Sequence, residues 1–304
     1  MATTLSSLVK RDLGIGLGLR SVHYPTILAK QPKVAFFEVL SENYMHTGGR
    51  PVKVLDEVAA HYPVVLHGVS MNIGSVDPID RDYLRELKAL QTRCRALWIS
   101  DHICWTGVDG KNMHDLLPLP YTKAALRHMI ERVNAVQDIL EQPLVLENPS
   151  TYLQFVGADY TEPQFLSELA AATGCGYLMD VNNVFVCAQN HGFDPFGYLH
   201  AVPWDHVVYF HLAGHTVYET HRLDTHDHPV CKEVWQMYAL AHQLSGGRST
   251  VLEWDANIPD FRTVHREALK AERYRVPAKA PGKAGGKVAT KSARARVPAV
   301  GARR

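Results

Sequence analysis

The sequence predicts an α/β fold, a single (β/α)8 TIM barrel followed by a disordered basic C-terminal tail. Three observations lead to this prediction: apolar runs alternate with helix-compatible segments, the runs are apolar almost throughout, and a basic segment ends the chain. Near-continuous apolar strands that alternate with amphipathic helices are typical of a parallel sheet covered by helices. Eight such units in about 245 residues match the length of a barrel.

The eight predicted strands are short and separated by longer segments. They are LGIGLGL at 13–19, VAFFEVL at 34–40, PVVLHGV at 63–69, ALWISDHI at 96–103, PLVLEN at 143–148, GYLMDV at 176–181, HVVYFHLA at 206–213 and TVLEWD at 250–255. A doubly wound open sheet is the alternative, but its dinucleotide loop requires G-x-G-x-x-G between a strand and a helix. The glycines of GIGLGLR lie inside the first predicted strand, which favours the barrel.

Helix-compatible segments lie between these strands, among them residues 51–62, 80–93, 122–140 and 163–173. Asp80 and Thr122 have side chains that are preferred at a helix N-cap, where they accept backbone N–H groups. Gly174 follows the last of these segments, at the position where a glycine commonly ends a helix. These residues predict where three of the helices begin or end.

The composition is that of a globular protein without a disulfide framework. Apolar residues make up 46% of the 304 residues and charged residues 21%. No run of about 18 uncharged apolar residues predicts a membrane span, and no basic-then-apolar N-terminal segment indicates a secretory signal. The five cysteines are scattered and form no C-x-x-C pair, which predicts reduced thiols. We therefore expect a cytoplasmic protein that does not bind membranes.

The formal net charge of +1 conceals a division between the body of the chain and its C-terminus. Residues 270–304 contain 11 basic residues and one acidic residue, a net charge of +10, which leaves −9 for residues 1–269. Because the tail is rich in Ala, Gly, Pro and basic residues, it has little to bury, and we expect it to be disordered and dispensable for the chemistry. An arm for nucleic acid or an acidic partner is the alternative. The predicted boundaries are 1–270 for the barrel and 271–304 for the tail.

Polar side chains gather at the carboxyl ends of the predicted strands. In a barrel these ends meet at one mouth, where active sites are built. Imidazoles and carboxylates that project into one basin are costly to desolvate unless cations compensate them. We therefore predict a metal site at this mouth. From the second strand to the eighth, the polar residues are Glu38, Glu42, Asn43, His67, Asp101, His102, Glu147, Asn148, Asp180, Asn182, Asn183, His211, His215, Glu253 and Asp255.

The donor types and their number narrow the choice of metal. Imidazole and carboxylate without thiolate favour iron, zinc or manganese, and we interpret Cys104 as a small core residue. The loop after the seventh strand adds Asp224 and His226, which are spaced so that both can bind one ion. About nine donors are too many for one ion with four to six ligands. We therefore expect two or three ions, with Glu147 and Glu253 as bridges.

Two further groups of residues are given supporting roles. Asp101, Asn148 and Asp255 adjoin donors in the sequence and are expected to orient imidazoles. Five histidines fall in helical or linker segments and are expected at the surface: His61, His128, His200, His242 and His265.

Seven ordered segments resemble the multinuclear non-haem iron-dependent oxidative enzymes, a family long catalogued as a domain of unknown function. The segments are FFEVLSENYM, VVLHGVSMNIG, SDHICW, LVLENPSTY, MDVNNVFV, FHLAGH and LEWD. They fall within residues 10–270, in the order of the predicted strands, and the tail has no counterpart in the family pattern. The family includes the oxidase of methanobactin biosynthesis and the carbon-excising enzyme of the 3-thiaglutamate pathway.

The resemblance implies a TIM barrel that holds two or three iron ions, as a mixture of Fe²⁺ and Fe³⁺. It implies dioxygen-dependent modification of cysteine residues in a ribosomally synthesised precursor peptide. It also implies a small partner protein that presents the peptide leader as part of a heterodimer.

Matched motif by motif, the resemblance implies a set of metal ligands at the barrel mouth. The D-x-N-N motif at 180–183 leaves two candidates for its asparagine ligand. Strand alternation points Asp180 and Asn182 to one side, whereas the geometry of a loop could use Asn183. The implied ligands are His67, His102, Glu147, Asp180, Asn183, His211, Asp224, His226 and Glu253. The implied catalytic residues are His67, His102, Glu147, His211 and Glu253.

A metal-dependent hydrolase or isomerase on the same barrel is the alternative, such as an endonuclease IV-like phosphoesterase with three zinc ions or a sugar isomerase. The donor types permit it, and the basic tail gives it some support. Against the phosphoesterase, the barrel portion is acidic and therefore a poor surface for a phosphodiester backbone, so nucleic acid is not an expected partner. A non-catalytic metal or peptide carrier is disfavoured because an open site with many carboxylates has little structural purpose.

Overall fold

In the computed structural model, which describes residues 3–275, each of the eight apolar runs forms a parallel strand. Four further strands of this range lie in two small hairpins. The strands are β1 (Ile15–Gly18), β2 (Phe37–Leu40), β3 (Val64–His67), β4 (Ile99–His102), β5 (Trp105–Val108), β6 (Lys111–Leu117), β7 (Val145–Glu147), β8 (Gly176–Asp180), β9 (Val207–Leu212), β10 (Thr216–Val217), β11 (Arg222–Leu223) and β12 (Ser249–Leu252). The order β1-β12-β9-β8-β7-β4-β3-β2 closes on itself. The TIM-barrel prediction is confirmed.

Helices surround this barrel. They are α1 (Leu5–Val9), α2 (Tyr24–Lys30), α3 (Glu42–Met45), α4 (Arg50–His61), α5 (Arg81–Cys94), α6 (Lys123–Leu140), α7 (Glu162–Thr173), α8 (Val181–His191), α9 (Pro195–Ala201), α10 (Lys232–Ser245) and α11 (Phe261–Ala268). The long helices bury one stripe; in α5 the buried leucines recur every third residue at Leu84, Leu87 and Leu90. Across residues 3–275, none of the helices has both the length and the apolar composition needed to cross a bilayer.

The predicted capping residues lie at the helix ends. The Asp80 side chain accepts the backbone N–H groups of Asp82 and Tyr83 at the start of α5. Thr122 accepts the N–H of Ala125 at the start of α6. Gly174 ends α7 with a φ of 68°, a left-handed conformation that glycine adopts without strain. All three capping predictions are confirmed.

Side-chain alternation along each strand builds two layers inside the barrel. Val65 and Val145 belong to an apolar cluster that also contains Leu8 of α1. Two residues further along the same strands lie His67 and Glu147, and residues two apart in a strand share a face. The polar layer therefore lies above the apolar layer, toward the carboxyl ends of the strands. The same two-residue step joins Phe36 to Glu38, Leu178 to Asp180, Tyr209 to His211 and Val251 to Glu253.

The first residues of the predicted tail pack on the barrel. Ala271 is buried, and the ring of Tyr274 stacks on that of Trp235 with centroids 5.1 Å apart and an interplanar angle of 10°. Arg275 forms an ion pair with Asp12. The predicted disorder of the rest of the tail concerns residues 276–304, which lie outside the described residues.

Candidate metal centre

Seven of the nine predicted ligands converge in the polar layer at the mouth of the barrel. Their donor atoms form four groups of three, and within each group the atoms lie within 4.8 Å of one another. Every member is buried. The groups are His67–His102–Glu147, His67–His211–Glu253, Glu147–Asp180–His211 and Asp180–His226–Glu253. His67, His211 and three carboxylates each occur in two groups. A carboxylate has two oxygens and can bind two ions, whereas a neutral imidazole has one lone pair to offer, so Glu147, Asp180 and Glu253 are the candidate bridges.

Glu147 faces two imidazole nitrogens in a contact that requires a proton or a metal ion between the atoms. Nδ1 of His102 donates to the backbone oxygen of Gly68 at 3.1 Å, so its Nε2 is free to carry a lone pair. That Nε2 lies 3.2 Å from Oε2 of Glu147, and Nε2 of His67 lies 3.3 Å from the same oxygen. The oxygen is buried and has no hydrogen bond within the described residues. Lone pairs that face each other in a buried site are repulsive unless a proton or a metal ion lies between them.

Gly68, which follows His67, is required on steric grounds. A Cβ atom at Gly68 would lie 2.5 Å from Oδ2 of Asp101, which is closer than real Cβ contacts come. Glycine therefore lets the backbone oxygen that binds His102 come close to β4.

Asp180 ends β8 and caps α8, which begins at the next residue. Its Oδ1 accepts the backbone N–H of Asn183 at 2.7 Å, whereas its Oδ2 is buried without a hydrogen-bond partner among the described residues. Burial, and after it the charge of Glu147, raises the pKa of this carboxyl to about 7. The free oxygen can therefore bind either a proton or a metal ion.

The two asparagines after Asp180 lie in the first turn of α8, so helical geometry decides between them. Both polar atoms of the Asn182 side chain form hydrogen bonds. Its Nδ2 donates to Asp224 at 2.7 Å, and its Oδ1 accepts from Nδ1 of His215 at 2.8 Å. Nδ2 of Asn183 donates to Glu147 at 3.2 Å, which leaves its Oδ1 buried and without a partner in the described part of the chain. Asn183 therefore has the free oxygen that a ligand needs.

The loop between β11 and α10 places Asp224 and His226 differently from the expected pair. Nε2 of His226 lies 2.8 Å from Oδ1 of Asp224, while its Nδ1 lies 3.2 Å from Glu253 and 3.0 Å from Asp255. Among the described residues, His226 forms its group with Asp180 and Glu253, and Asp224 is a member of none of the four groups. Asp224 instead forms hydrogen bonds at the edge of the centre.

The carboxylates control the ionisation of the histidines. Burial lowers the pKa of His211, but Glu38 and Glu253 outweigh burial and raise the pKa well above its usual value. Burial, followed by the neighbouring His102 and His211, holds the pKa of His67 well below the usual value. A metal ion that binds Nδ1 of His211 therefore displaces a proton from that nitrogen, and proton release on metal binding is expected.

Two residues at the site were not among the predicted ligands. Glu38, noted only as a polar strand end, lies with Oε1 2.8 Å from Nε2 of His211. Arg20 lies with Nη2 3.3 Å from Oε1 of Glu253 and forms a second ion pair with Asp255. Arg20 directly follows the first predicted strand, so its position in the sequence already places it at the barrel mouth beside the donor residues.

The three residues expected to orient imidazoles make different contacts. Asp255 contacts an imidazole, as predicted, through Nδ1 of His226 at 3.0 Å. Asp101 instead accepts the backbone N–H groups of His102 and Met71, and the amide of Asn148 bonds the backbone of Asp180. Both residues fix the strand ends rather than imidazoles.

Two predictions about residues away from the donors have different outcomes. Cys104 is fully buried, in agreement with its interpretation as a core residue. His242 was expected at the surface, but it is fully buried on the inner face of α10, where burial lowers its pKa to about 4.

The donors open into a cavity of about 500 Å³, which is large enough for ions and for part of a substrate. Arg20, Asn183 and Asp224 lie in its wall. Five of the seven donor residues also line it: His67, His102, Glu147, His226 and Glu253. A second cavity, of about 570 Å³, lies beside it. The segment 149–151 contributes to both walls, Pro149 and Ser150 to the first cavity and Thr151 to the second.

The second cavity is mainly apolar, and its rim carries exposed apolar side chains. Leu153 and Phe155 line it and are 49% and 42% exposed, and Val156 next to them is fully exposed. Contiguous exposed apolar residues beside a cavity are typical of a binding surface.

The comparison with known sequences decides the family. The family described as "RiPP precursor modification enzyme MbnB/TglH/ChrH" matches residues 14–275. The chain belongs to this family. A UPF0276 protein of Caulobacter vibrioides is 51% identical over 247 residues, which cover 81% of this chain and 88% of that protein. A UPF0276 protein of Anaeromyxobacter is 46% identical over 262 residues, or 86% of this chain and 93% of that protein. The resemblance found in the seven segments is confirmed.

Solved structures support the fold alone. A D-psicose 3-epimerase of Clostridium cellulolyticum superimposes with a TM-score of 0.59 at 10% identity, over 86% of this chain and 97% of that chain. A D-allulose 3-epimerase of Methylomonas has a TM-score of 0.57 at 11% identity, over 90% and 98%. Because one barrel supports many reactions, this likeness says nothing about the chemistry of this member of the MbnB/TglH/ChrH family.

Proposed function

We propose that the chain is an iron-dependent oxidoreductase that uses dioxygen to modify cysteine residues of a ribosomally made precursor peptide. One observation carries the proposal: three buried carboxylates, Glu147, Asp180 and Glu253, are each shared between two donor groups at the mouth of the barrel. Its family, the RiPP precursor modification enzymes, supplies the class of substrate.

The donor set fits a centre of several iron ions. All seven residues offer nitrogen or oxygen, without thiolate, which suits iron, manganese or zinc. Buried oxygens of Glu147, Asp180 and Asn183 that have no hydrogen-bond partner among the described residues are available to bind a cation. When bound, iron ions in two oxidation states would supply a position for a substrate thiolate and electrons for the reduction of dioxygen.

The protein's own contribution is to position these groups and to balance their charge. Arg20 lies in the cavity wall against Glu253 and offsets part of the excess of carboxylates. Its guanidinium also offers hydrogen-bond donors to a substrate carbonyl that enters the cavity. Held in this geometry, a peptide thiol would meet the oxidant as a positioned neighbour rather than by a bimolecular encounter.

The apolar cavity supports a peptide as the substrate. A peptide with one residue at the donors extends by about 3.3 Å per residue, and the two cavities share the wall formed by 149–151. Apolar side chains next to the reacting cysteine would therefore lie against Leu153 and Phe155. We also propose that a small partner protein presents the peptide leader and that the reaction takes place in the cytoplasm, where the five free cysteines of the chain stay reduced.

The test is purification without oxygen, followed by metal analysis and reaction with a cysteine-containing precursor peptide from a neighbouring reading frame. We expect two or three iron ions per chain, a sulfur-to-iron charge-transfer absorption when the peptide is added, and an oxygen-dependent change in peptide mass. A peptide with Ser in place of the reacting Cys is the matched control. Stoichiometric zinc without iron, and no dependence on oxygen, would contradict the proposal and favour a hydrolase or isomerase.

A further inference from the structure

A chain of five buried side chains runs beneath the donor groups and connects two of the histidines. Nδ1 of His67 lies 2.9 Å from Oγ of Ser100, and that oxygen lies 2.6 Å from the hydroxyl of Tyr209. The Tyr209 hydroxyl donates to Oε2 of Glu38 at 2.7 Å, and Oε1 of Glu38 lies 2.8 Å from Nε2 of His211. Each of the five residues is at least 97% buried.

The direction of the hydrogen bonds follows from the carboxylate at the centre of the chain. An ionised Glu38 can only accept, so Tyr209 and Nε2 of His211 must both donate to it. Tyr209 then has only lone pairs left for the contact at 2.6 Å, which would be repulsive without a proton. The backbone oxygen of Leu66, at 3.1 Å, is a second acceptor for the Ser100 hydroxyl. The shorter contact requires a proton, so the Ser100 hydroxyl donates to Tyr209. Ser100 has no second proton, and Nδ1 of His67 must therefore donate to Ser100. This assignment places one proton on each of the four contacts between the five side chains.

The same assignment determines which nitrogen of each imidazole is free. His67 is protonated at Nδ1 and leaves Nε2 toward Glu147, at 3.3 Å. His211 is protonated at Nε2 and leaves Nδ1 toward Glu253, at 3.0 Å. His67 therefore faces the donor groups with Nε2, whereas His211 faces them with Nδ1. The Glu38 carboxylate determines both tautomers.

We propose that Glu38 is a positioning residue that sets the tautomer and the ring orientation of two metal ligands at once, His211 directly and His67 through Tyr209 and Ser100. The inference rests on the metal centre proposed above. Groups that orient a ligating histidine commonly change metal affinity by about 10- to 100-fold when they are removed. His102 and His226 are oriented by other partners, the backbone oxygen of Gly68 and the side chain of Asp255.

This division predicts which metal position survives the loss of Glu38. Three of the four donor groups contain His67 or His211, whereas the group Asp180–His226–Glu253 contains neither. In Glu38→Gln the amide N–H₂ can donate to Nε2 of His211, which favours the tautomer with the proton on Nδ1 and removes the ligating lone pair. We expect this variant to keep about one tightly bound ion and to lose about 10- to 100-fold in affinity for the others.

The experiment measures Zn²⁺ and Co²⁺ binding to the full chain in metal-buffered solution, by metal analysis and by the Co²⁺ absorption spectrum. Glu38→Gln is compared with Tyr209→Phe and Ser100→Ala, which cut the connection to His67 without changing the charge. These two variants should weaken only the positions that contain His67. Tyr238→Phe is the matched control, because it removes a buried hydroxyl that bonds Thr250 at 2.8 Å away from the donors.

The pattern of losses separates positioning from general damage. Unchanged ion count and affinity in both Glu38→Gln and Tyr209→Phe would overturn the inference. Equal losses in Tyr209→Phe and Tyr238→Phe would also overturn it, since they would report a loss of packing. Wild-type protein that binds the metals but does not oxidise a peptide would contradict the proposed function and leave the role of Glu38 intact.

Discussion

Asp180 accepts the backbone N–H of Asn183 through Oδ1 at 2.7 Å, and the same carboxyl leaves Oδ2 buried and without a hydrogen bond among the described residues. One side chain therefore caps α8 and supplies a free oxygen to two donor groups. β8 passes directly into α8, and the residue that caps the helix is also a member of two donor groups.

Replacement of Asp180 should separate these two roles. Asp180→Asn keeps an oxygen for the cap but loses the bridging carboxylate, so the metal-free variant should melt at or above the wild-type temperature and bind fewer ions. Asp180→Ala should lose ions and also about 1 kcal/mol of the free energy of unfolding, because the cap is gone. Asp80→Ala, which removes the cap of α5, is the control and should lose stability alone. Equal stability of the Asn and Ala variants would contradict the capping role.

Glu147 and Glu253 should each be required for metal binding rather than only for turnover. Each belongs to two donor groups, so Glu147→Ala or Glu253→Ala removes a charge that offsets two cations. We expect each variant to lose at least one ion per chain, measured by metal analysis after anaerobic purification. Glu267→Ala is the matched control, because Glu267 is buried but lies outside the centre and pairs with Lys270. Wild-type ion content in both variants would refute their role as bridges.

The double replacement Asp224→Ala, His226→Ala should remove one ion and leave the others. His226 belongs to only one of the four donor groups, and Asp224 binds at its edge. The remaining groups keep all their members, so metal analysis should show one ion fewer, and the melting curve should still show a folded protein. Loss of every ion, or of none, would show that this loop does not hold a separate position.

Exchange of Leu153 and Phe155 for serine should weaken peptide binding without affecting the metal centre. Both side chains line the apolar cavity and are partly exposed. Burial of one such side chain by a bound peptide contributes about 1.5–3 kcal/mol, so the KM for the peptide should rise about 10-fold or more. Ion content and kcat should not change. Val217→Ser is the control, since Val217 is 61% exposed on a hairpin outside this cavity. An unchanged KM would exclude the cavity as a peptide site.

The C-terminal boundary can be tested with two shortened chains. A chain that ends after Arg275 keeps the stacking of Tyr274 on Trp235 and the ion pair of Arg275 with Asp12. It should fold, bind metal and react like the full chain. A chain that ends after Lys270 loses these contacts and the buried Ala271, and its free energy of unfolding should fall by about 2–4 kcal/mol. Equal denaturation midpoints for the two chains would contradict this boundary.

Much of the fold could be predicted because the signals are local. Each barrel strand is an apolar run that is covered on both sides, so its composition marks it without knowledge of its neighbours. The hairpin of β5 and β6 was missed, although Asp109 and Gly110 form the kind of turn that joins antiparallel strands, with φ values of 54° and 69°. The exposed residues of β6 gave it no apolar pattern to notice.

The sequence by itself determined that a chain of alternating strands and helices closes into a barrel with donors at the strand ends. The physical reason is that period-two alternation places every second strand residue inside, wherever the strand lies in the barrel. Only the tertiary structure decided that Glu38 meets His211, 173 residues away, that Arg20 meets Glu253, and that Asn183 rather than Asn182 has a free oxygen. These contacts depend on the register in which β1 and β12 close the barrel and on the start of α8 at Val181. A hydrogen bond is sensitive to shifts of a few tenths of an ångström, and no local sequence pattern encodes positions that accurately.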